Sequence, residues 1–161
     1  MSAGGMGPGP PRVARSKTLA TWIAVVGGVF GLHRFYLYGL RDKPGWLFPL
    51  PTLLGLLGLQ RLEQFGQDDR LAWVLMPLLG VSLSAAMVAA IVYGLTPDEK
   101  WAARHDPRGT VQPTGWGPVL GVIVAVMVGA IALTSTIAYG GQRFFEWQVE
   151  RAREAGRDLS R

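Results

Sequence analysis

The feature that most constrains this chain is an apolar run over residues 71–95 that contains no charged side chain. As a helix, at about 1.5 Å per residue, the run would be roughly 37 Å long, which exceeds the ~30 Å hydrocarbon core of a bilayer. A chain of 161 residues has too little mass to bury such a cylinder completely. The run therefore predicts an all-α integral membrane protein.

Three further apolar blocks extend this prediction to four transmembrane helices, two short and two long. The first block, residues 18–32, follows basic residues as a signal peptide does, but no small-x-small cleavage site follows it, so we expect an uncleaved span. The second block, residues 46–59, is short and carries Pro49 and Pro51, which interrupt helical hydrogen bonding. The sequence leaves open whether this block crosses fully or re-enters. The fourth block covers residues 116–139.

The blocks and the segments between them predict the organisation of the chain. Residues 1–16 are rich in glycine and proline and are predicted to be a disordered tail. Residues 17–61 form a paired-helix domain, and residues 71–139 form a second helix pair with a connecting loop over 96–115. Residues 140–161 contain Glu–Arg pairs at helical spacing, which predict a charged C-terminal helix or a solvated tail.

The loop between the two long blocks carries a helix-start signal. Thr96, Pro97 and Glu99 have the order of a capping box with proline at the first helical position. We therefore predict a short interfacial helix over residues 97–105, with Trp101 resting it on the membrane surface.

Small residues recur every four positions in both long blocks. Residues four apart share one helix face, and close backbone approach is what holds helices together in a membrane. We predict that these faces pack against protein, with each other as one candidate partner; the alternative is that alanine and glycine are simply common in spans. The residues concerned are Ser82, Ala86 and Ala90 in the third block and Gly121, Ala125 and Gly129 in the fourth.

The basic residues bear on partners and orientation. The net charge is +5, but the basic residues flank the apolar blocks, which favours anionic headgroups over nucleic acid as the partner. With four spans, ten basic residues fall on the side of the termini and six on the other. Excess lysine and arginine marks the cytoplasmic side, so we predict that both termini are cytoplasmic.

A loop between the first two blocks contains an unusual motif. Residues 31–39 read Gly-Leu-His-Arg-Phe-Tyr-Leu-Tyr-Gly. This motif, between two short apolar blocks, resembles the TM-two domain family, whose members carry paired membrane helices joined by a His-Arg-Phe or Asp-Arg-Phe linker. The resemblance covers residues 17–61 and implies a bacterial type of this family, placed in the inner membrane. Tyr38 and the proline pair of the second block depart from the family pattern.

The loop also has a physical interpretation. The first apolar block reaches only about 22 Å as a helix, so His33 and Arg34 would lie at or just below the interface. Arg34 would need a phosphate, carbonyls or a carboxylate there, and Asp42 is the nearest carboxylate. The loop is then an interfacial anchor, a functional polar site or a partner contact. Its candidate residues are Gly31, His33, Arg34, Phe35, Tyr36 and Asp42.

The function predicted from the sequence is non-catalytic. The chain has no cysteine and only two histidines, so we expect no metal site and no cofactor, and it carries no nucleophile motif or phosphate-binding glycine loop. We predict a scaffold or accessory protein that contacts the lipid bilayer and binds other membrane proteins or itself as a homo-oligomer. The alternative is a small oligomeric channel or transporter.

Overall fold

The computed structural model describes residues 14–106 and 113–158, and over these residues it is helical, with one 3-10 turn at Gly28–Phe30 and no strand. The all-α prediction is confirmed. The predicted disordered tail lies outside the described residues except for its last three. The helices are α1 Lys17–Gly27, α2 Leu32–Tyr38, α3 Lys43–Leu47, α4 Pro49–Phe65, α5 Arg70–Leu95, α6 Asp98–His105 and α7 Gly117–Asp158.

Helix α5 is the centre of the bundle and packs against α1, α4 and α7. Gly55 of α4 lies against the backbone of the first half of α5, and Gly28, just after α1, lies against Ala86 in its second half. Helix α4 therefore packs against the first half of α5, and α1 packs against its second half. As a result, residues 17–61 and 71–139 pack together around α5 in one bundle.

The first apolar block forms a short helix and a turn, after which the chain reverses in a hairpin. Helix α1 and the 3-10 turn together reach only about 22 Å, and Gly31 then reverses the chain with a φ of 73°. Helix α2 runs back toward the start of α1, where the Tyr36 hydroxyl accepts a hydrogen bond from the Ser16 backbone N–H at 3.1 Å. The ring of Tyr38 lies 6.2 Å from that of His105, at the same end of the bundle.

The second apolar block runs the length of the bundle as a broken helix. Helices α3 and α4 meet at Phe48, directly before Pro49, and α4 continues to the opposite end of α5. The sequence predicts that the regular helix starts near Pro51, whereas α4 begins two residues earlier, because proline fits the first turn of a helix. The chain therefore turns back in the first block, whereas the second block runs from one end of the bundle to the other.

Two helices, α5 and α7, are long and apolar enough to cross a membrane, so the four predicted spans are not supported. Helix α1 is too short, and the 17 residues of α4 are separated from α3 by a break. Only 22% of the most apolar window of α5 and 17% of that of α7 are buried within the chain. Most side chains in these two windows are therefore at least partly exposed on the surface of the described bundle.

The start of the described chain and the last part of its C-terminal helix lie at opposite ends of α5. Helix α7 is one continuous helix of 42 residues, and its Arg143 Nη2 approaches Gln67 Oε1 at 3.5 Å, at the end remote from α6. The predicted cytoplasmic side of the two termini depended on four spans, which are not supported, and it stays a prediction. Seven described basic residues lie at the α6 end and six at the other, so they favour neither orientation.

The short helix over 97–105 is present as α6, but its start and its contacts differ from the prediction. The Thr96 hydroxyl donates to the Val92 carbonyl instead of capping α6, so the capping box does not form. Trp101 is buried in the protein rather than resting on a membrane, and its indole N–H donates to the Arg15 carbonyl at 2.8 Å. Helix α6 folds onto the start of α1 because Lys17 Nζ pairs with Asp98 at 2.8 Å.

Candidate functional site: two matching corners of the bundle

The His-Arg-Phe-Tyr motif forms a tight corner between α2 and α3. Arg34 Nε donates to Asp42 Oδ2 at 2.6 Å, and Nη2 donates to Oδ1 at 3.4 Å. Gly39, with a φ of 83°, ends α2 between them, and the Arg34 guanidinium lies 5.3 Å from the centre of the Tyr38 ring. The hydrogen bond from Arg34 holds the pKa of Asp42 below its ordinary value. This ion pair therefore links α2 to the start of α3.

Two aromatic side chains close the same corner. The Trp46 indole N–H donates to the Leu40 carbonyl at 2.9 Å, which satisfies a backbone acceptor in the turn. The Phe35 ring lies 5.1 Å from the Trp46 ring. Below them, a Cβ on Gly31 would overlap the Gly45 carbonyl, so the two segments touch backbone to backbone.

A second corner with the same geometry joins α4 to α5, 27 residues further along. Arg61 Nε donates to Asp69 Oδ2 at 2.7 Å, and Nη2 donates to Oδ1 at 3.3 Å. The Arg61 guanidinium lies 4.8 Å from the Phe65 ring, and Gly66 ends α4 with a φ of 77°. The Trp73 indole N–H donates to the carbonyl of the residue after that glycine at 2.7 Å. The two corners lie at opposite ends of the bundle. The chain therefore enters the second corner in the direction opposite to that in which it enters the first.

The sequence carries a signal for this repeat that the motif analysis missed. Residues 34–46 and 61–73 share the pattern Arg, three residues, Tyr or Phe, Gly, two residues, Asp, Lys or Arg, two residues, Trp. Each position has a geometric reason: the glycine adopts a positive φ with an extended ψ, which only glycine adopts readily, the aspartate begins the next helix, and the arginine reaches across to it. A search for self-similarity at a fixed offset would find the pattern.

The two aspartates differ in one contact. Asp69 also caps α5, because its Oδ1 accepts from the Leu71 N–H at 3.3 Å. In the first corner the equivalent position is Pro44, which has no N–H to donate. Asp42 therefore forms no side-chain cap for α3, and its carboxylate accepts hydrogen bonds from Arg34.

The first corner has features that the second lacks. His33 is buried, with 1% of its surface exposed, and its ring lies edge-on to Phe48 at 5.1 Å and 5.7 Å from Tyr93. Its Nδ1 has no hydrogen-bond partner among the described residues. The equivalent residue in the second corner is Gln60, which is exposed. His33 thus fills a gap between the hairpin and α5 instead of reaching toward lipid headgroups.

Tyr36 fastens the first corner to the start of the described chain. Its hydroxyl accepts from Ser16, and the Arg15 guanidinium lies 5.1 Å from its ring centre. Arg15 in turn donates its backbone N–H to the His105 carbonyl at 3.1 Å. The first corner, the start of α1 and α6 therefore form one connected layer.

The small residues predicted to face protein lie inside the bundle. Five of the six are buried and Gly129 is half-buried. Ala86, Ala90 and Ala125 belong to one core cluster, so the two stripes meet there. Elsewhere they meet other neighbours: a Cβ on Gly121 would meet Thr21 of α1, and one on Gly129 would meet Met87.

The described residues gather no group of three or more His, Asp or Glu side chains that could hold a metal ion. His105 stacks on Trp101 with 4.3 Å between ring centres, and His33 packs among aromatic rings of the first corner.

Comparisons with known proteins add no family: no family model matches this chain, and no curated protein or solved structure shows significant similarity to it.

Proposed function

We propose that this chain is a non-catalytic integral membrane protein that acts as a scaffold or accessory protein through helix contacts with another membrane protein or a second copy. Membrane insertion is supported by the outward side chains of the two long helices. Val74 is 67% exposed, and Ile131 and Ile137 are exposed to a similar degree. Such apolar surface is stable in hydrocarbon and costly in water. The bacterial inner membrane stays a prediction that rests on the TM-two resemblance.

The observation that carries the proposal is a row of small residues on an outward face of α7, beside the exposed side chains of Met127 and Ile137. Ala130, Thr134 and Ala138 lie four residues apart and are all exposed, and Gly141 continues the same face. No other part of the described chain covers these exposed positions. Small side chains make few contacts with lipid, but they allow another helix to approach closely. This face is therefore suited to a helix from outside the described bundle.

Cysteine crosslinking in native membranes tests the proposal, because the chain has no cysteine of its own. We expect Ala138→Cys to form adducts with a second copy or a neighbouring membrane protein. Val88→Cys is the matched control, since Val88 is 58% exposed on α5, outside this face. Equal adduct yields at both positions, or no adduct at Ala138, would contradict the proposal.

A small oligomeric channel or transporter gives a different result. Purified protein in liposomes would then conduct ions or solutes, and the flux would be lost in Arg34→Ala but kept in Arg61→Ala. The comparison is direct because each variant removes an Arg–Asp ion pair of the same geometry. Only the Arg34 pair lies in the layer around His33.

A further inference from the structure

A cleft with cationic and aromatic walls lies between the start of α5 and the second half of α7. Arg70 is exposed at its rim and forms no ion pair among the described residues. The Arg143 guanidinium lies 4.8 Å from the Trp73 ring centre, and its Nη1 pairs with Glu146 at 2.7 Å. The cleft is lined by Arg70, Trp73, Val74, Arg143, Phe144 and Trp147.

The charge around the cleft has an excess of cations. Arg151 adds a third guanidinium, 4.1 Å from the Trp147 ring centre. Asp69, the carboxylate next to Arg70 in the chain, is already held by Arg61. Of these three arginines only Arg143 has an ion pair among the described residues, so the guanidiniums of Arg70 and Arg151 are available to attract an anion.

The position of the cleft along the helices corresponds to headgroup depth. The uncharged run of α5 begins directly after Arg70, and the uncharged stretch of α7 ends directly before Arg143. Indole rings such as those of Trp73 and Trp147 are typical of the membrane–water interface. A ligand in the cleft would therefore have its charge at the surface and its remainder in hydrocarbon.

Apolar side chains continue from the cleft along both helices. Val74, Val81 and Val88 lie seven residues apart on one face of α5 and are 67%, 53% and 58% exposed. On α7, Phe144 and Ile137 are likewise seven apart and exposed. These side chains offer a surface for acyl chains next to the cationic cleft.

We propose that this cleft binds the headgroup of an anionic phospholipid, with Arg70 contacting the phosphate and the acyl chains lying along the exposed valines. The inference rests on the membrane insertion proposed above. Arginine suits this role because its planar guanidinium donates two parallel hydrogen bonds to phosphate oxygens. The excess of cations selects a headgroup with net negative charge over a zwitterionic one.

Native mass spectrometry of the purified full chain, titrated with phosphatidylglycerol or phosphatidylcholine in detergent, tests the site. We expect the wild type to bind phosphatidylglycerol more tightly. Arg70→Gln should weaken that binding about fivefold, the factor that corresponds to ~1 kcal/mol for one cation. Arg70→Lys should restore part of it. Lys43→Gln is the matched control, because Lys43 occupies the same place in the first corner and is exposed.

Three outcomes would overturn the site: equal affinity for the two lipids, equal losses in Arg70→Gln and Lys43→Gln, or displacement of the lipid by inorganic phosphate, which would indicate a free-anion site. A flotation assay separates this failure from failure of the proposed function. Protein that does not float with phosphatidylcholine vesicles contradicts membrane insertion itself, whereas protein that floats without preferring the anionic lipid contradicts only this inference.

Discussion

Helix α4 approaches α5 so closely at Gly55 that a single methyl group should separate the two helices. A Cβ built on Gly55 would lie 2.5 Å from the Leu79 Cβ and 2.7 Å from its Cα. Carbon atoms in contact prefer about 3.5–4.0 Å, so Gly55→Ala must move the helices apart by roughly 1 Å. Overpacking of this kind costs ~1–3 kcal/mol, and the better helix propensity of alanine returns ~1 kcal/mol. We expect a net loss of up to ~2 kcal/mol of unfolding free energy.

The assay is denaturation of the purified protein in detergent micelles by increasing sodium dodecyl sulfate, followed by circular dichroism. Gly140→Ala is the control, because no atom lies within 4 Å of a Cβ at that position and only the propensity gain applies. The two variants should therefore change stability in opposite directions. If Gly55→Ala is as stable as Gly140→Ala, α4 does not lie against the backbone of α5.

Three further predictions address the hairpin of the first apolar block, the contacts of α6 and the two Arg–Asp ion pairs. Cysteines introduced at Ser16 and Leu40 should both be labelled from the same side of the membrane, whereas a transmembrane α1 would place them on opposite sides. A hydrogen bond from the lysine at the start of α1 lowers the pKa of Asp98 to about 2, from an ordinary value of 3.8. The folded state thus binds this proton less readily than the unfolded state, so its contribution to stability is present above about pH 4 and is lost as the pH falls toward 2. In acid titrations of unfolding, Asp98→Asn should flatten this dependence, and an unchanged slope would contradict it. Arg34→Ala and Arg61→Ala should lower the thermal unfolding midpoint by similar amounts, and a large difference would show that the matching geometry does not reflect matching roles.

The local features of this protein could be read from the sequence because they depend on residues close together in the chain. The helical run of α5 follows from an apolar stretch without charge, and Arg34 and Asp42 are near enough along the chain to be paired by inspection. The second corner could also have been found, because Arg61, Gly66 and Asp69 repeat the spacing of the first. These features need only backbone geometry and the reach of one side chain.

The path of the first block and the contacts of α6 were decided by tertiary structure. An apolar stretch reads the same whether it crosses a membrane or turns back, and the outcome here depends on Gly31 packing against Gly45 and on Tyr36 reaching Ser16. Trp101 likewise looks like an interfacial residue in sequence, but the Arg15 carbonyl gives its indole N–H a partner inside the protein. Apolar periodicity specifies that a side chain is buried or in lipid, whereas its partner depends on contacts between residues far apart in the chain.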